Sequence, residues 1–356
     1  MHQRLEQLRA ALPEELDGAL ITSEVNRRYY LGFPSTAGTL LVTRKQAYFL
    51  VDSRYVEGAR STIRGCRVIL QKKLCEQLLE LLGECGVRRL ALESEAVTLR
   101  QHKTLCEKLE NVELDTGDAL SDAIAGQRQI KDAGELDLIA RAQDIADKTL
   151  AHILGYIRPG RTEREIALEM EFYSRSQGSE GEAFPFIILA GANTSRPHAP
   201  PSDYAVQSGD FVLMDFGCRV GGYCSDMTRT VAVGSPGKKQ RRAYQTVLEA
   251  QRAALEQIRP GARCAQVDQC AREFIDATGF AGRFTHSLGH SLGLEIHETP
   301  TFSSGCETVL EPGFVLSVEP GIYLPGEFGV RIEDLVAVTD TGAHNLTASP
   351  KELICL

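Results

Sequence analysis

The run FVLMDFGCRVGGYCSDMTRTVAV, residues 211–233, carries the pattern that decides the fold. Phe211–Phe216 is a short apolar run of the kind buried on both faces, with Asp215 next to its end. Gly217, Gly221 and Gly222 can turn the chain, and Tyr223–Val233 can return as an antiparallel partner with Asp226 near its start. The reading predicts a hairpin that sets Asp215 beside Asp226.

Outward from this run the sequence repeats. Ile157-Arg158-Pro159-Gly160 recurs as Ile258-Arg259-Pro260-Gly261, an offset of 101 residues. Gly209, Asp215 and Gly217 match Gly313, Glu319 and Gly321 at an offset of 104, and Thr230–Val233 matches Leu335–Val338 at 105. Each tetrapeptide follows an apolar-periodic helix and precedes another, Glu163–Gln177 in one copy and Cys264–Thr278 in the other. An ordered series that drifts by a few residues predicts two related halves, each a helix pair followed by an antiparallel hairpin. They are expected to superpose by a pseudo-twofold rotation. In the first half, the long helix keeps Ala142, Ile145, Ala146, Leu150, Ile153, Leu154 and Ile157 on one face.

The preceding part reads as α/β. Asp17–Ser23 with Tyr30, Gly38–Thr43 and Ala47–Asp52 are strand-like, and Leu74–Leu82 is helical. Asp115–Gly126 is polar, small and without clear period, which places the domain boundary there: residues 1–122 and 123–356. The chain holds 39 basic and 48 acidic side chains, a formal charge of −9, which argues against a nucleic-acid partner. Of these, 17 basic and 18 acidic residues fall in 1–122, so the acidity belongs to the later part. The first twenty residues lack the apolar core of a signal peptide, and no stretch is long and apolar enough to span a membrane. Ten cysteines without a C-x-x-C pair read as reduced thiols of a cytoplasmic protein, the alternative being a redox site at Cys218 and Cys224. The basic run Lys238–Arg242 reads as a solvated helix start, and no G-x-G-x-x-G links a strand to a helix.

The repeat aligns the carboxylates. Asp215 and Asp226 in one half, Glu319 and Glu333 in the other, would converge on a common seam, where their repulsion calls for divalent cations. Three of the eight histidines, His286, His290 and His297, fall close by, and the glycines at 289 and 293 argue against a helix there. His297-Glu298-Thr-Pro-Thr excludes an H-E-x-x-H motif. Four oxygen ligands and an imidazole suit two ions about 3.5–4 Å apart, Mn²⁺, Co²⁺ or Zn²⁺, better than a thiolate zinc site.

The set Asp215, Asp226, His290, Glu319 and Glu333, in this order, resembles the five-ligand signature of the pita-bread metallopeptidases. That family comprises methionine aminopeptidases, Xaa-Pro aminopeptidases, Xaa-Pro dipeptidases (prolidases) and the metal-free creatinases. Tyr30-Leu-Gly-Phe33, Gly38-Thr-Leu40 and Val51-Asp-Ser-Arg-Tyr55 resemble the creatinase-type N-terminal domain. The resemblance covers nearly the whole chain. It implies a mixed α/β (α+β) protein with a creatinase-like domain before a pseudo-twofold pita-bread catalytic domain. It further implies that Asp226 and Glu333 bridge two metals, the usual ions being Mn²⁺ or Co²⁺, that Asp215 chelates one and that His290 with Glu319 holds the other. His198, His286, His297 and Arg331 match the remaining active-site positions of the proline-specific branch. Arg331 shares a strand face with Glu333 and could alternatively only neutralise the carboxylates.

The expected reaction is hydrolysis of the bond before proline in Xaa-Pro peptides. A metal-activated water attacks, His297 stabilises the oxyanion and Glu319 moves the proton. A proline amide lacks an N–H and restricts the preceding residue, so a dedicated site is needed. The expected activity is an Xaa-Pro aminopeptidase, acting on proline-containing peptides as a homodimer, without nucleic acid or membrane partners. An Xaa-Pro dipeptidase is the alternative, in which Arg331 could clamp the substrate carboxylate. A methionine aminopeptidase and a non-catalytic binding protein fit less well, because the N-terminal domain is present and no ligand position is lost.

Overall fold

The computed structural model describes residues 2–356 and falls into two compact units, Met1–Arg128 and Gln129–Leu356. In the first unit, β1 (Gly18–Ile21), β2 (Thr39–Thr43), β3 (Ala47–Val51), β4 (Arg67–Leu70), β5 (Arg89–Leu92) and β6 (Glu113–Asp115) form one sheet in the order β4-β3-β2-β1-β5-β6. β2 runs antiparallel to both neighbours; the remaining pairs are parallel. The helices are α1 (His2–Ala11), α2 (Glu24–Leu31), α3 (Val56–Thr62), α4 (Leu74–Cys85), α5 (Leu99–Lys108) and α6 (Ala119–Gln129). Leu78 and Leu82 of α4 and Leu105 of α5 pack on Leu20, Leu41, Leu50 and Leu90 of the sheet.

Two expectations fail here for local reasons. Tyr30 lies in α2, not in a strand; Ser23 caps that helix through its side chain. Asp115–Gly126 is not an irregular linker. Leu120 and Ile124, one helical turn apart, give α6 a buried face, and this helix runs across the expected boundary at 122.

The second unit has the repeated architecture. Its first half contains α7 (Ala133–Leu154), α8 (Glu163–Ser176), β7 (Ile187–Ala190), β8 (Phe211–Phe216), the small ribbon β9 (Arg219–Val220) and β10 (Tyr223–Cys224), and β11 (Met227–Ala232). The second half contains α9 (Lys238–Gln257), α10 (Cys264–Ile275), β12 (Gly289–Ser291), β13 (Glu298–Phe302), β14 (Val315–Val318), the ribbon β15 (Gly321–Leu324) and β16 (Phe328–Arg331), β17 (Asp334–Val338) and β18 (Ala343–Asn345). The sheets are β11-β8-β7 and β13-β12-β14-β17-β18. Capping boxes at Asp132/Glu135 and Thr162/Glu165 start α7 and α8. Ala142, Ala146, Ile166 and Met170 cover Ile188, Val212 and Met214, and the second helix pair covers Leu316, Val318 and Val336 with Val247, Ala250, Val267 and Ala271.

The expected single hairpin over 211–233 is interrupted. β10 pairs with β9, and only from Met227 does the chain pair with β8. The break falls at Ser225–Asp226, where Gly217 lets the Ser225 carbonyl approach so closely that a Cβ would sit 1.9 Å from it. The second half does likewise. Glu319 follows β14, a ribbon intervenes, and Glu333 immediately precedes β17, the partner of β14. The halves are sewn together where the carboxylates meet: Glu333 N–H donates to the Thr228 carbonyl at 3.0 Å. Arg229, almost fully buried, donates to the Glu333 carbonyl, to Asp334 at 2.8 Å and to the Pro350 carbonyl at 2.9 Å. Among the described residues no helix is long and apolar enough to cross a membrane.

Candidate metal centre

Because each half ends one strand with a carboxylate and opens the next with another, the four acids meet at one end of the two sheets. Asp215, Asp226, Glu319 and Glu333 line a single cavity of about 610 Å³ together with His198, His286, His290 and His297. Phe184, Pro185, Phe186, Ile187, Pro200 and Pro201 form its apolar wall. Asp226 and Glu333 are buried, and with His290 they offer ligand atoms all within 4.8 Å of one another.

The protonation pattern of this cluster is that of a cation site without its counter-charge. Burial, then the neighbouring Glu333, Asp215 and Glu319, push the Asp226 carboxyl well above its usual range. Burial and the charges of Glu319 and Asp215 do the same to Glu333, and burial lifts Glu319 to about 8. Asp215 is raised by burial, with Arg331 opposing the shift. Burial, then His297, lowers His290 to about 4. The neutral imidazole is oriented by its Nδ1–H, which faces the Ser291 carbonyl at 3.1 Å. That leaves the Nε2 lone pair 3.5 Å from oxygens of both Asp226 and Glu319. A lone pair aimed at carboxylate oxygens is unfavourable unless a cation lies between them.

The donor set passes a direct test of fit to a metal. Asp215 Oδ1, Asp226 Oδ1 and Glu333 Oε1 are buried and lack a hydrogen-bond partner, a costly arrangement for three acceptors in one place. Two of these acids are held through their other oxygen: Asp215 Oδ2 by Arg331 and Glu333 Oε2 by the Thr228 hydroxyl at 2.7 Å. Asp215 and Glu333 are thus each oriented through one oxygen and leave the other unpaired. All-oxygen donors with an imidazole suit Mn²⁺, Co²⁺ or Zn²⁺.

The other anticipated residues divide into two groups. His198, on the loop after Ser195, and His297 are exposed on the cavity wall, and the His297 ring lies 4.5 Å from that of His290. His286 and Arg331 are engaged within the protein. His286 Nδ1 faces the Ser287 carbonyl at 2.8 Å, and Nε2 accepts from the Tyr323 hydroxyl at 2.9 Å. Arg331, 2% exposed, donates to Asp215, to Tyr323 at 2.8 Å and to Thr228 at 3.0 Å. Its bonds thus go to one candidate ligand, Asp215, and to Tyr323 and Thr228, and it is not among the residues described as lining the cavity.

Three supporting residues escaped the sequence reading. Thr228 is two residues from Asp226, and Ser317, which donates to Glu319 at 3.2 Å and accepts from the His290 N–H at 3.1 Å, is two residues from Glu319. The period of two along a strand was a usable signal for both. Tyr323 carried none, because it reaches Arg331 across the β15–β16 ribbon. Cys218 and Cys224 are buried free thiols pushed up to about 12 and about 11 by burial, contrary to a redox role.

Sheet topology and ligand set together define a metallopeptidase of the duplicated type. Residues 137–340 match metallopeptidase family M24, residues 4–130 match the creatinase/prolidase N-terminal domain, and the chain belongs to this family, with its pita-bread fold and dependence on a dinuclear metal centre. It is 37% identical to an Xaa-Pro dipeptidase of Pyrococcus furiosus over 99% of this chain and 100% of that one. Among solved structures, an Xaa-Pro dipeptidase from Bacillus anthracis superposes with a TM-score of 0.96 at 39% identity, covering 99% of both chains. An X-Pro aminopeptidase from Thermotoga maritima superposes with a TM-score of 0.92 at 32% identity, covering 99% of this chain and 100% of that one.

Proposed function

We propose that this chain is a dinuclear-metal Xaa-Pro dipeptidase, which hydrolyses the bond between a residue and a C-terminal proline. The observation that carries the hydrolytic part is the trio of partnerless buried oxygens on Asp215, Asp226 and Glu333 around His290. The dipeptide preference rests on the full-length likeness to Xaa-Pro dipeptidases of two organisms. It replaces the aminopeptidase expected from the sequence.

Asp215, Asp226, His290, Glu319 and Glu333 would hold the two ions, with Mn²⁺ or Co²⁺ the ions to test first. Bound there, divalent cations lower the pKa of water and polarise the scissile carbonyl. Glu319, beside the attacking water, accepts its proton and returns it to the prolyl nitrogen. His297 donates to the carbonyl oxygen as negative charge develops on it. His198 borders the cavity beside Pro200 and Pro201, and the apolar wall from Phe184 to Ile187 receives the prolyl ring. Arg331 keeps Asp215 in place, and His286, which also lines the cavity, holds the Tyr323 hydroxyl that meets Arg331.

An Xaa-Pro aminopeptidase remains the second reading, because the described lining includes no Lys or Arg to meet a substrate carboxylate. The deciding measurement is kcat/KM for Xaa-Pro dipeptides and for Xaa-Pro-Yaa tripeptides with added Mn²⁺. Dipeptides preferred by tenfold or more support the dipeptidase. A preference for tripeptides makes the protein an aminopeptidase, and no hydrolysis of either overturns both. Cytoplasmic location and homodimer formation belong to the same proposal and are tested by fractionation and by sedimentation.

A further inference from the structure

The ten cysteines are all free, and two of them meet outside the metal centre. Cys264 opens α10, and Cys306 lies in the turn after β13, the edge strand of its sheet. The two segments are bonded through their backbones: Cys264 N–H donates to the Thr308 carbonyl at 3.0 Å, and Ala265 N–H to the Cys306 carbonyl at 2.9 Å. An antiparallel bridge from Arg263 to Val309 continues this pairing. Both side chains join the same apolar cluster, where Cys264 is fully buried and Cys306 partly exposed.

The two sulfurs stand in unlike surroundings. Burial, then the adjoining Cys306, raises Cys264 to about 12. Burial also opposes ionisation of Cys306, but Thr308, the Thr301 backbone and Cys264 outweigh it and hold that thiol below its usual range. Cys306 is therefore the more acidic and the reachable partner, and the backbone pairing holds Cys264 in the same apolar cluster beside it. These are the requirements for a peroxide-sensitive cysteine and its resolving partner.

We propose that Cys306 is an oxidation site at which hydrogen peroxide drives a reversible disulfide with Cys264. The Cys306 thiolate attacks one peroxide oxygen, the O–O bond breaks, and the departing hydroxide takes a proton to leave as water. The resulting sulfenic acid is attacked by Cys264; its S–O bond breaks as the S–S bond forms, and the thiol proton leaves with the oxygen as a second water. In sum, two thiols and one peroxide give one disulfide and two waters. A dithiol reductant reverses the step by exchange. Thr301, whose backbone adjoins Cys306, also lines the peptidase cavity.

The experiment uses the full chain with one equivalent of hydrogen peroxide, then denaturation, thiol counting and a non-reducing peptide map with fragmentation. Free thiols should fall by two from ten, and the map should join Cys264 to Cys306. Dithiothreitol should restore both thiols. C306S should abolish the cross-link, and C270S, which alters the other cysteine of α10, should retain it. A map in which Cys306 becomes sulfinic acid while Cys264 stays a thiol overturns the proposal. So does a first disulfide between any other pair, or a cross-link that persists in C306S. C264S provides the second variant: it should leave Cys306 to over-oxidise, and an unmodified Cys306 there also counts against the assignment.

Discussion

Thr228 shows how much of the metal centre depends on a neutral side chain. Its hydroxyl donates to Glu333 and accepts from Arg331, so one oxygen sets the direction of both an acid and a base. Thr228→Val keeps the volume and removes both bonds. It should weaken metal binding by about tenfold to a hundredfold while the far-ultraviolet spectrum is unchanged; calorimetric titration with Mn²⁺ reads this, and an unaltered affinity would refute the role. His297→Ala addresses the chemistry instead. It should lower kcat by about a hundredfold or more with a smaller change in KM, as steady-state kinetics on an Xaa-Pro peptide would register. At this scale the sequence was readable where chemistry is rare along a chain. Four acids at repeat-related places and three clustered histidines are conspicuous, whereas Thr228 and Tyr323 are ordinary residues until the fold brings them to Arg331. For Arg331 the number along the strand fixes its face, not the partners that occupy its donors.

Among the elements, two glycines control how closely the acid-bearing strands approach. A Cβ on Gly289 would lie 2.0 Å from the Ser317 carbonyl, the counterpart of the 1.9 Å encounter between Gly217 and Ser225. Gly289→Ala must therefore push β12 from β14 and carry His290 away from Glu319. We expect a cost of about 1–3 kcal/mol in denaturant unfolding together with loss of one metal per chain by atomic spectroscopy; full metal occupancy would contradict this account. Helices with caps and clear apolar stripes, such as α7 and α8, were legible in advance. The interruption between β10 and β11 was not, because strand periodicity continues through Ser225 and Asp226 while the pairing partner changes. Nor was α6, whose buried face consists of only Leu120 and Ile124 amid small and polar residues.

For the molecule as a whole, the cluster of buried acids makes stability depend on pH in a direction opposite to the usual one. Asp226, Glu319 and Glu333 all bind protons more tightly when folded than an unfolded chain does, for which about 4 is ordinary. Below about pH 6.5 His286 and His290, lowered by burial to about 3 and about 4, oppose this effect; between about pH 6.5 and pH 8 the raised carboxyls act unopposed, and their contribution makes stability of the metal-free chain fall as pH rises. Thermal melts in a chelator should show a midpoint that declines from about pH 6.5 to pH 8, and saturating Mn²⁺ should remove most of the slope. A flat profile in the chelator would mean that the carboxylates ionise without penalty. Arg229 tests the other side of the same arrangement. Arg229→Met leaves Asp334 with Lys351 and Asn345 but deprives the Glu333, Ser349 and Pro350 carbonyls of this donor, and should cost about 1–3 kcal/mol by denaturant titration.

The duplicated order of strands and acids has a consequence for ancestry. Each half contributes two carboxylates to one cavity, Asp215 with Asp226 and Glu319 with Glu333. A forebear of half this length could complete the same set only by associating with a copy of itself, with the ions on the axis between identical subunits. As the chain stands the two contributions are unequal, two aspartates from one half and two glutamates with His290 from the other, so a centre built on a repeated plan has two chemically distinguishable sides.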